Sequence, residues 1–220
     1  MIIAGEFQPG LSVVEELGKI DRFVQDAESY PVVDAESLVE FMAGEQNFSG
    51  NSNQYYSVSN SLLNQVLATK KGIPITIAVV YLAIVERLSG AMRAEGISFP
   101  GHFLVRIDAG SGEQLIDPFA GQLVSRDECY QILAGLYGRE VEPNDRFFNR
   151  AGSRQILRRI LENLKVIHSQ TGDAKGVLTC LDYQLMLYPD DEELLQQQQN
   201  LLDHLRENDG SHYDESPRLH

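Results

Sequence analysis

The stretch KKGIPITIAVVYLAIVERLSG, residues 70–90, decides the fold. Gly72 and Pro74 open it, and proline is favoured in a first helical turn, where its missing N–H costs nothing. From Pro74 to Leu88 the residues are apolar nearly all round, interrupted by Thr76 and closed by Glu86 and Arg87. A helix without a polar face is a buried one, so this segment is expected to be the central helix of the main domain. Its apolar core, Ile73–Val85, is thirteen residues, whereas a membrane span requires about 20.

Strands follow that helix. HFLVRID (102–108) and EQLID (113–117) flank Ala109-Gly110-Ser111-Gly112, and a Gly-Ser turn between two β-prone runs signals a hairpin. Leu123–Val124 adds a short third strand after a turn at 118–121, and a helix is predicted over Arg126–Tyr137. Ahead of the central helix the chain reads as short helices over Leu11–Ala27, Ala35–Gly44 and Leu62–Ala68. The Asn/Ser/Gly-rich segment NFSGNSNQYYSVSNS between the last two is a loop, pinned by Tyr55 and Tyr56.

From Ser153 the pattern is helical again. Ser153 is the expected cap of a helix carrying Ile156, Leu157, Ile160, Leu161, Leu164 and Ile167. Gly172-Asp173 starts a second, and Asp190/Asp191 cap a third with Leu194, Leu195, Leu201, Leu202 and Leu205. Helices of this length joined by short turns suggest a tetratricopeptide-type array of about one and a half repeats. The charge map supports a separate unit. The 220 residues carry a net charge of −14; segment 150–186 is +3, and the last 34 residues, at −7, hold half the excess. The expected organisation is a main domain over 1–149, helices over 150–208, docked on that core, and a disordered tail over 209–220.

The overall acidity argues against nucleic acid as a partner. Cys129 and Cys180 form no disulfide framework and no CxxC pair, which suits a reducing compartment. The start MIIAGEFQPG lacks the basic and apolar regions of a signal peptide. A cytoplasmic protein is the expectation. His168, His204 and His212 are too scattered for a metal site, and neither a metal nor a cofactor is expected.

Chemistry gathers on the hairpin. A two-residue turn at Gly110-Ser111 makes paired positions sum to 221, so Leu104 faces Asp117 and His102 becomes a diagonal neighbour of Asp117 on the same face. A carboxylate that orients an imidazole is the His–Asp half of a nucleophile–His–Asp triad. The cysteine of such a triad often sits at a helix N-terminus, where the dipole lowers the thiol pKa. Here that position belongs to the helix opening at Gly72-Ile73-Pro74.

Gly72-x-Pro74-x-x-x-Ala78, then Gly101-His102, then Asp117-Pro118 resembles the core of the transglutaminase-like superfamily, whose motif runs Gly-x-Cys-x-x-x-Ala, His, Asp. More closely, FSGNSNQYY, NSLLNQVL, KGIPITIAVVYL, FPGHFLVR and LIDPF resemble the bacterial SirB family over about residues 10–205. That resemblance implies an α+β transglutaminase-like (papain-like) core with a helical N-terminal segment, tetratricopeptide-type helices behind it, and a regulatory role without a defined reaction. The departure is Pro74 at the nucleophile position, and the resemblance makes it a property of the SirB pattern. Thr76 does not substitute, because two residues along a helix is a rotation of about 200°.

The expectation is therefore a non-catalytic protein whose helical tail, and whose old active-site groove, bind other proteins. A cysteine-independent hydrolase or acyltransferase using His102 and Asp117 is the alternative. Asn60, Pro74, His102 and Asp117 form the candidate pocket; Asn60 and Asn64 also read simply as side chains capping backbone in the loop and helix. Arg150, Arg154 and Arg158 recur every fourth residue and read as one basic helix face, paired internally or offered to an acidic protein partner. The sequence does not fix the oligomeric state.

Overall fold

A computed structural model describes residues 1–110 and 112–210, the last three by backbone alone. The chain divides into two compact units, Met1–Ile160 and Leu161–His220.

The first unit opens with helices α1 (Ile2–Phe7), α2 (Val13–Ser29) and α3 (Ala35–Val39), the last running on into a π-helical turn at Glu40–Glu45. Ser12 caps α2 through the Glu15 N–H, and Asp34 and Ser37 cap α3 reciprocally. The helix α1 was not expected from the sequence, which lacks a capping residue there. Strand β1 (Ser49–Gly50) follows, then helix α4 (Leu63–Thr69), strand β2 (Lys71–Gly72) and helix α5 (Pro74–Arg87). Strands β1 and β2 pair in parallel, Gly50 against Gly72. This bridge fixes the Asn/Ser-rich loop to the start of α5.

Pro74 is the first residue of α5, as its chemistry requires. The helix is buried on most of its surface, and Ile77, Ala78, Val80, Tyr81 and Ile84 are inaccessible to solvent. Next come β3 (Arg93–Ile97), β4 (Leu104–Asp108), β5 (Glu113–Asp117) and β6 (Gln122–Val124), antiparallel in that spatial order, and then helix α6 (Arg126–Tyr137). The strand β3 escaped the sequence reading because RAEGI has no apolar alternation; pairing with β4 makes it a strand. In the hairpin, Val105 pairs with Ile116 and Asp108 with Glu113, so paired positions sum to 221. Ser111 of the expected turn lies outside the described residues.

The sheet's two faces alternate as strand geometry demands. Val105, Ile107 and Ile116 join α5 in the main core, while Leu104 and Val124 pack with Cys129 and Leu133 of α6 and with Phe148.

Helix α7 (Ser153–Gln170) begins in the first unit, where Ile156 and Ile160 pack against the main core. Ser153 lies inside the helix rather than capping it; the Gly152 N–H goes instead to Oε1 of Gln155. The rest of α7 belongs to the second unit with α8 (Ala174–Leu187) and α9 (Glu192–Gly210). Asp173 caps α8 through Gly176 N–H, and Asp191 accepts the Leu194 N–H. Leu161, Leu164, Cys180, Leu181 and Leu194 form the buried seam. The backbone of α9 runs to Gly210, and the remainder of the tail expected over 209–220 lies outside the described residues. Among the described residues no helix is long and apolar enough to cross a membrane.

Candidate functional site

Two turns build the site. The first is Phe99-Pro100-Gly101-His102. The His102 N–H donates to the Phe99 carbonyl at 3.1 Å, and Gly101 sits at φ +67°. Proline then a positive-φ glycine at the two central positions is the signature of a type II turn. His102 is thus a turn residue, two positions before β4, rather than the first residue of the strand. Arg159 of α7 locks this turn, donating to Ser98 Oγ at 3.0 Å and to the Phe99 carbonyl at 3.2 Å.

The second turn follows Asp117. Its Oδ1 accepts the N–H groups of Phe119 and Ala120 at 2.9 and 3.1 Å, while its carbonyl accepts the N–H of Gly121, at φ +69°. The Phe119 carbonyl accepts the Gly50 N–H at 2.9 Å, and Gly50 pairs with Gly72. Asp117 is therefore tied to the start of the Pro74 helix through two backbone links, Phe119 to Gly50 and Gly50 to Gly72.

His102 Nε2 lies 2.9 Å from Asp117 Oδ1. The ring N–H is not aligned with that oxygen, so Nε2 has no well-directed hydrogen-bond partner. Asp117 is 4% exposed. Burial alone would push its carboxyl up, but His102 and the two turn amides outweigh it and hold the group below the ordinary carboxylate range. The buried charge acts on both neighbours. Tyr81 of α5 is pushed up by burial and by Asp117, and its hydroxyl is buried without a partner. Cys129 of α6 is pushed up to about 11, again by burial first and Asp117 second. A nucleophilic thiol needs a cationic or helix-terminal setting that lowers its pKa, so Cys129 is the opposite of an activated cysteine.

The other sequence candidates separate into roles. Asn60, 1% exposed, donates to the Gln54 and Tyr55 carbonyls at 2.6 and 3.1 Å and accepts from Asn51; it caps the loop. Asn64 donates to the Gln8 side chain. Thr76 Oγ1 donates to the Asn60 carbonyl and accepts the Ile73 N–H, so its hydroxyl is engaged at the helix start. Arg150 precedes α7, pairs its backbone with Ile97 and reaches Glu95 at 3.6 Å. The expected three-arginine helix face therefore reduces to Arg154 and Arg158. The sequence reading missed Phe119, whose ring sits 6.4 Å from that of His102 and 6.0 Å from that of Tyr55. It also missed Arg159. Its signal was available: one residue past Arg158, it is rotated about 100° toward the core. Among the described residues no group of three or more His, Cys, Asp or Glu could hold a metal.

A buried helix opened by Gly-x-Pro, backed by an antiparallel sheet whose end carries a His–Asp pair, is the architecture of a papain-like α+β domain. The profile of the transglutaminase-like superfamily matches residues 12–162, and the chain belongs to that superfamily. Similar proteins include a UPF0162 protein of Xylella fastidiosa strain 9a5c, 38% identical over 153 residues, covering 67% of this chain and 53% of the relative. UPF0162 protein PA3419 of Pseudomonas aeruginosa is 28% identical over 182 residues, 80% of this chain and 66% of its own. Human F-box only protein 21 is 29% identical over 191 residues, 79% of this chain but 28% of its own. The chain spans about half the length of the Xylella relatives it matches. No solved structure matches significantly.

Proposed function

We propose that this chain is a non-catalytic, SirB-type member of the superfamily that acts as a regulatory binding protein in the cytoplasm, with its tetratricopeptide-like helices as the protein-binding part. The observation that carries the reading is the use of Asp117. Its Oδ1 accepts two turn amides besides facing His102, so the pair pins the end of the sheet where an enzyme would aim an imidazole at a nucleophile. Proline at position 74 supplies no such nucleophile, and the nearby thiol of Cys129 is held protonated. In the second unit, Val166, Val177, Leu181 and Leu201 line an open groove of about 440 Å³ edged by Lys165, Gln197 and Asn200, a shape and chemistry suited to an amphipathic helix. Arg154 and Arg158 would steer an acidic partner, more strongly at low salt. The test is capture of cellular proteins by the intact chain and by an Arg154→Glu/Arg158→Glu variant at low and high salt. Salt-sensitive capture lost in the variant is expected; equal capture in all four conditions removes the arginine face.

One feature favours a second reading, a cysteine-independent hydrolase or acyltransferase. Both His102 Nε2 and the Tyr81 hydroxyl are buried without directed partners beside Asp117, and unsatisfied polar groups cluster where chemistry occurs. Turnover of an acyl substrate that vanishes in His102→Ala would establish it.

A further inference from the structure

Arg159 of α7 is a half-buried cation that meets no carboxylate among the described residues. Several of the chain's other cations find one: Arg106 reaches Glu95, Arg126 reaches Asp145 and Lys165 reaches Glu162. Arg159 instead uses Nη1 on Ser98 Oγ and the Phe99 carbonyl, and its guanidinium carbon stands 5.7 Å from the centre of the Phe103 ring. Burial works against its charge, and the group that counters this is the Tyr55 phenol, not an acid. A charge drawn partly out of water is unfavourable unless something pairs with it.

The unused part of this guanidinium is the part that recognises carboxylates. Nε and Nη2 donate to no protein atom, and neither is sealed from solvent. Together they form one edge of the planar group, whose two parallel N–H bonds match the two oxygens of a carboxylate. With Nη1 tied to the turn, that edge is held in place before a ligand arrives. The Phe99 carbonyl accepts both Arg159 Nη1 and the His102 N–H, which sets guanidinium and imidazole on one turn. The His102 ring lies 6.4 Å from that of Phe119, Phe119 lies 6.0 Å from Tyr55, and Tyr55 and Arg159 act on each other electrostatically. The four residues thus close a circle. Burial raises the Tyr55 pKa and Arg159 offsets this only in part, so the phenol stays protonated and can donate. Its hydroxyl makes no hydrogen bond within the protein and is not sealed from solvent either.

We infer that this circle is a binding site for a carboxylate carried on an apolar group. The Nε–Nη2 edge of Arg159 takes the two oxygens, the Tyr55 hydroxyl donates to one of them, and the apolar group rests against Phe119. A free arylalkyl acid and the C-terminal residue of a peptide present this same chemistry. A phosphate dianion fits less well, since it would meet a single cation in a chain of net charge −14. The site needs neither chemistry at His102 nor a partner in the groove of the second unit, so its failure would leave the proposed function standing.

The probes are 3-phenylpropanoate, its amide, phenyl phosphate, and acetyl-Ala-Phe with a free or an amidated C-terminus, each titrated calorimetrically into the full chain at neutral pH. Both acids are expected to bind at least about tenfold more tightly than their amides. Tighter binding of the dipeptide acid than of 3-phenylpropanoate assigns the site to a chain end, and the reverse assigns it to a free acid. Arg159→Lys keeps the charge but offers no fork, and should lose about tenfold in affinity for the acids. Tyr55→Phe removes a hydroxyl that bonds nothing in the fold, and should lose about three- to tenfold. Failure of both acids to bind the parent chain, or equal binding of acids and amides, overturns the site. Phenyl phosphate binding more tightly than both acids overturns the carboxylate. Unchanged acid affinity in either variant overturns the proposed contacts, and if Arg159→Lys fails to fold, Tyr55→Phe decides alone.

Discussion

Nε2 of His102 and Oδ1 of Asp117 approach to 2.9 Å, and that oxygen simultaneously accepts the N–H groups of Phe119 and Ala120. Removal of the two partners should therefore be unequal. Asp117→Ala orphans two turn amides and removes the carboxylate facing the imidazole, and is expected to cost about 2–4 kcal/mol. Asp117→Asn keeps an acceptor oxygen and should cost roughly half that. His102→Ala leaves the carboxylate bound to both amides and is expected to cost about 1 kcal/mol. Urea unfolding of the three variants gives the order. A His102→Ala loss equal to or above that of Asp117→Ala would contradict the turn-pinning role.

The same carboxylate predicts how acid acts. Its folded pKa lies below the ordinary value of about 3.9 expected when unfolded. The unfolded chain then binds more protons between the two values, so stability rises with pH through that window. The contribution is complete above about pH 4 and is lost as pH falls through the folded value. The stability gap between the parent and Asp117→Asn should stay constant from neutrality to about pH 5 and narrow below 4. A gap that widens on acidification would show that burial, not pairing, controls the group.

Gly101 positions the imidazole. A side chain there meets two obstacles: the left-handed backbone at φ +67°, and Leu136 Cδ1, 2.8 Å from where a Cβ would stand. Gly101→Ala is expected to lose about 1–2 kcal/mol from backbone strain alone. The Leu136 methyl is the far end of an exposed side chain and can swing aside, so it adds little. The readout is urea unfolding of Gly101→Ala and of a Gly101→Ala/Leu136→Ala double variant, which should lie close together. A double variant that regains most of the loss would show that α6, rather than the backbone, makes glycine necessary in this turn.

What the sequence disclosed was what local chemistry dictates. Pro74 at a helix start, the Gly-Ser hairpin and the helix over Arg126–Tyr137 are decided within a few residues, and the elements fall where those residues require. The hairpin register also follows locally, because pairing at sum 221 carries Val105 and Ile116 to the core together. The strand β3 was hidden because its structure comes from β4 rather than from its own residues. Arg150 was assigned to a helix by spacing alone, but its backbone pairs with Ile97 instead. The second use of Asp117, as a turn cap, was written in Asp-Pro-Phe-Ala-Gly, yet the triad geometry drew attention to the imidazole side only.

The last prediction concerns position 74. A cysteine there would occupy the first turn of a fourteen-residue helix, where the dipole favours a thiolate. The native thiols offer a clean background: burial first, then nearby acids, push Cys129 to about 11, and burial pushes Cys180 up to about 12. In the folded parent chain iodoacetamide should label neither at an appreciable rate near neutral pH. Pro74→Cys should add one thiol that labels at least tenfold faster than Cys129, unless the buried position shuts the reagent out. Methyl methanethiosulfonate, which transfers only a methylthio group to the thiolate and releases methanesulfinate, tests access separately. Turnover should still be absent. His102 Nε2 is turned toward a carboxylate that the turn amides already hold, and each missing oxyanion donor costs about 10²–10³ in rate. Mass spectrometry of labelled peptides reads the first half, and an acyl-substrate panel reads the second. Robust turnover by Pro74→Cys would show an intact catalytic frame lacking only its thiol, and would overturn the structural role assigned to the His102–Asp117 pair.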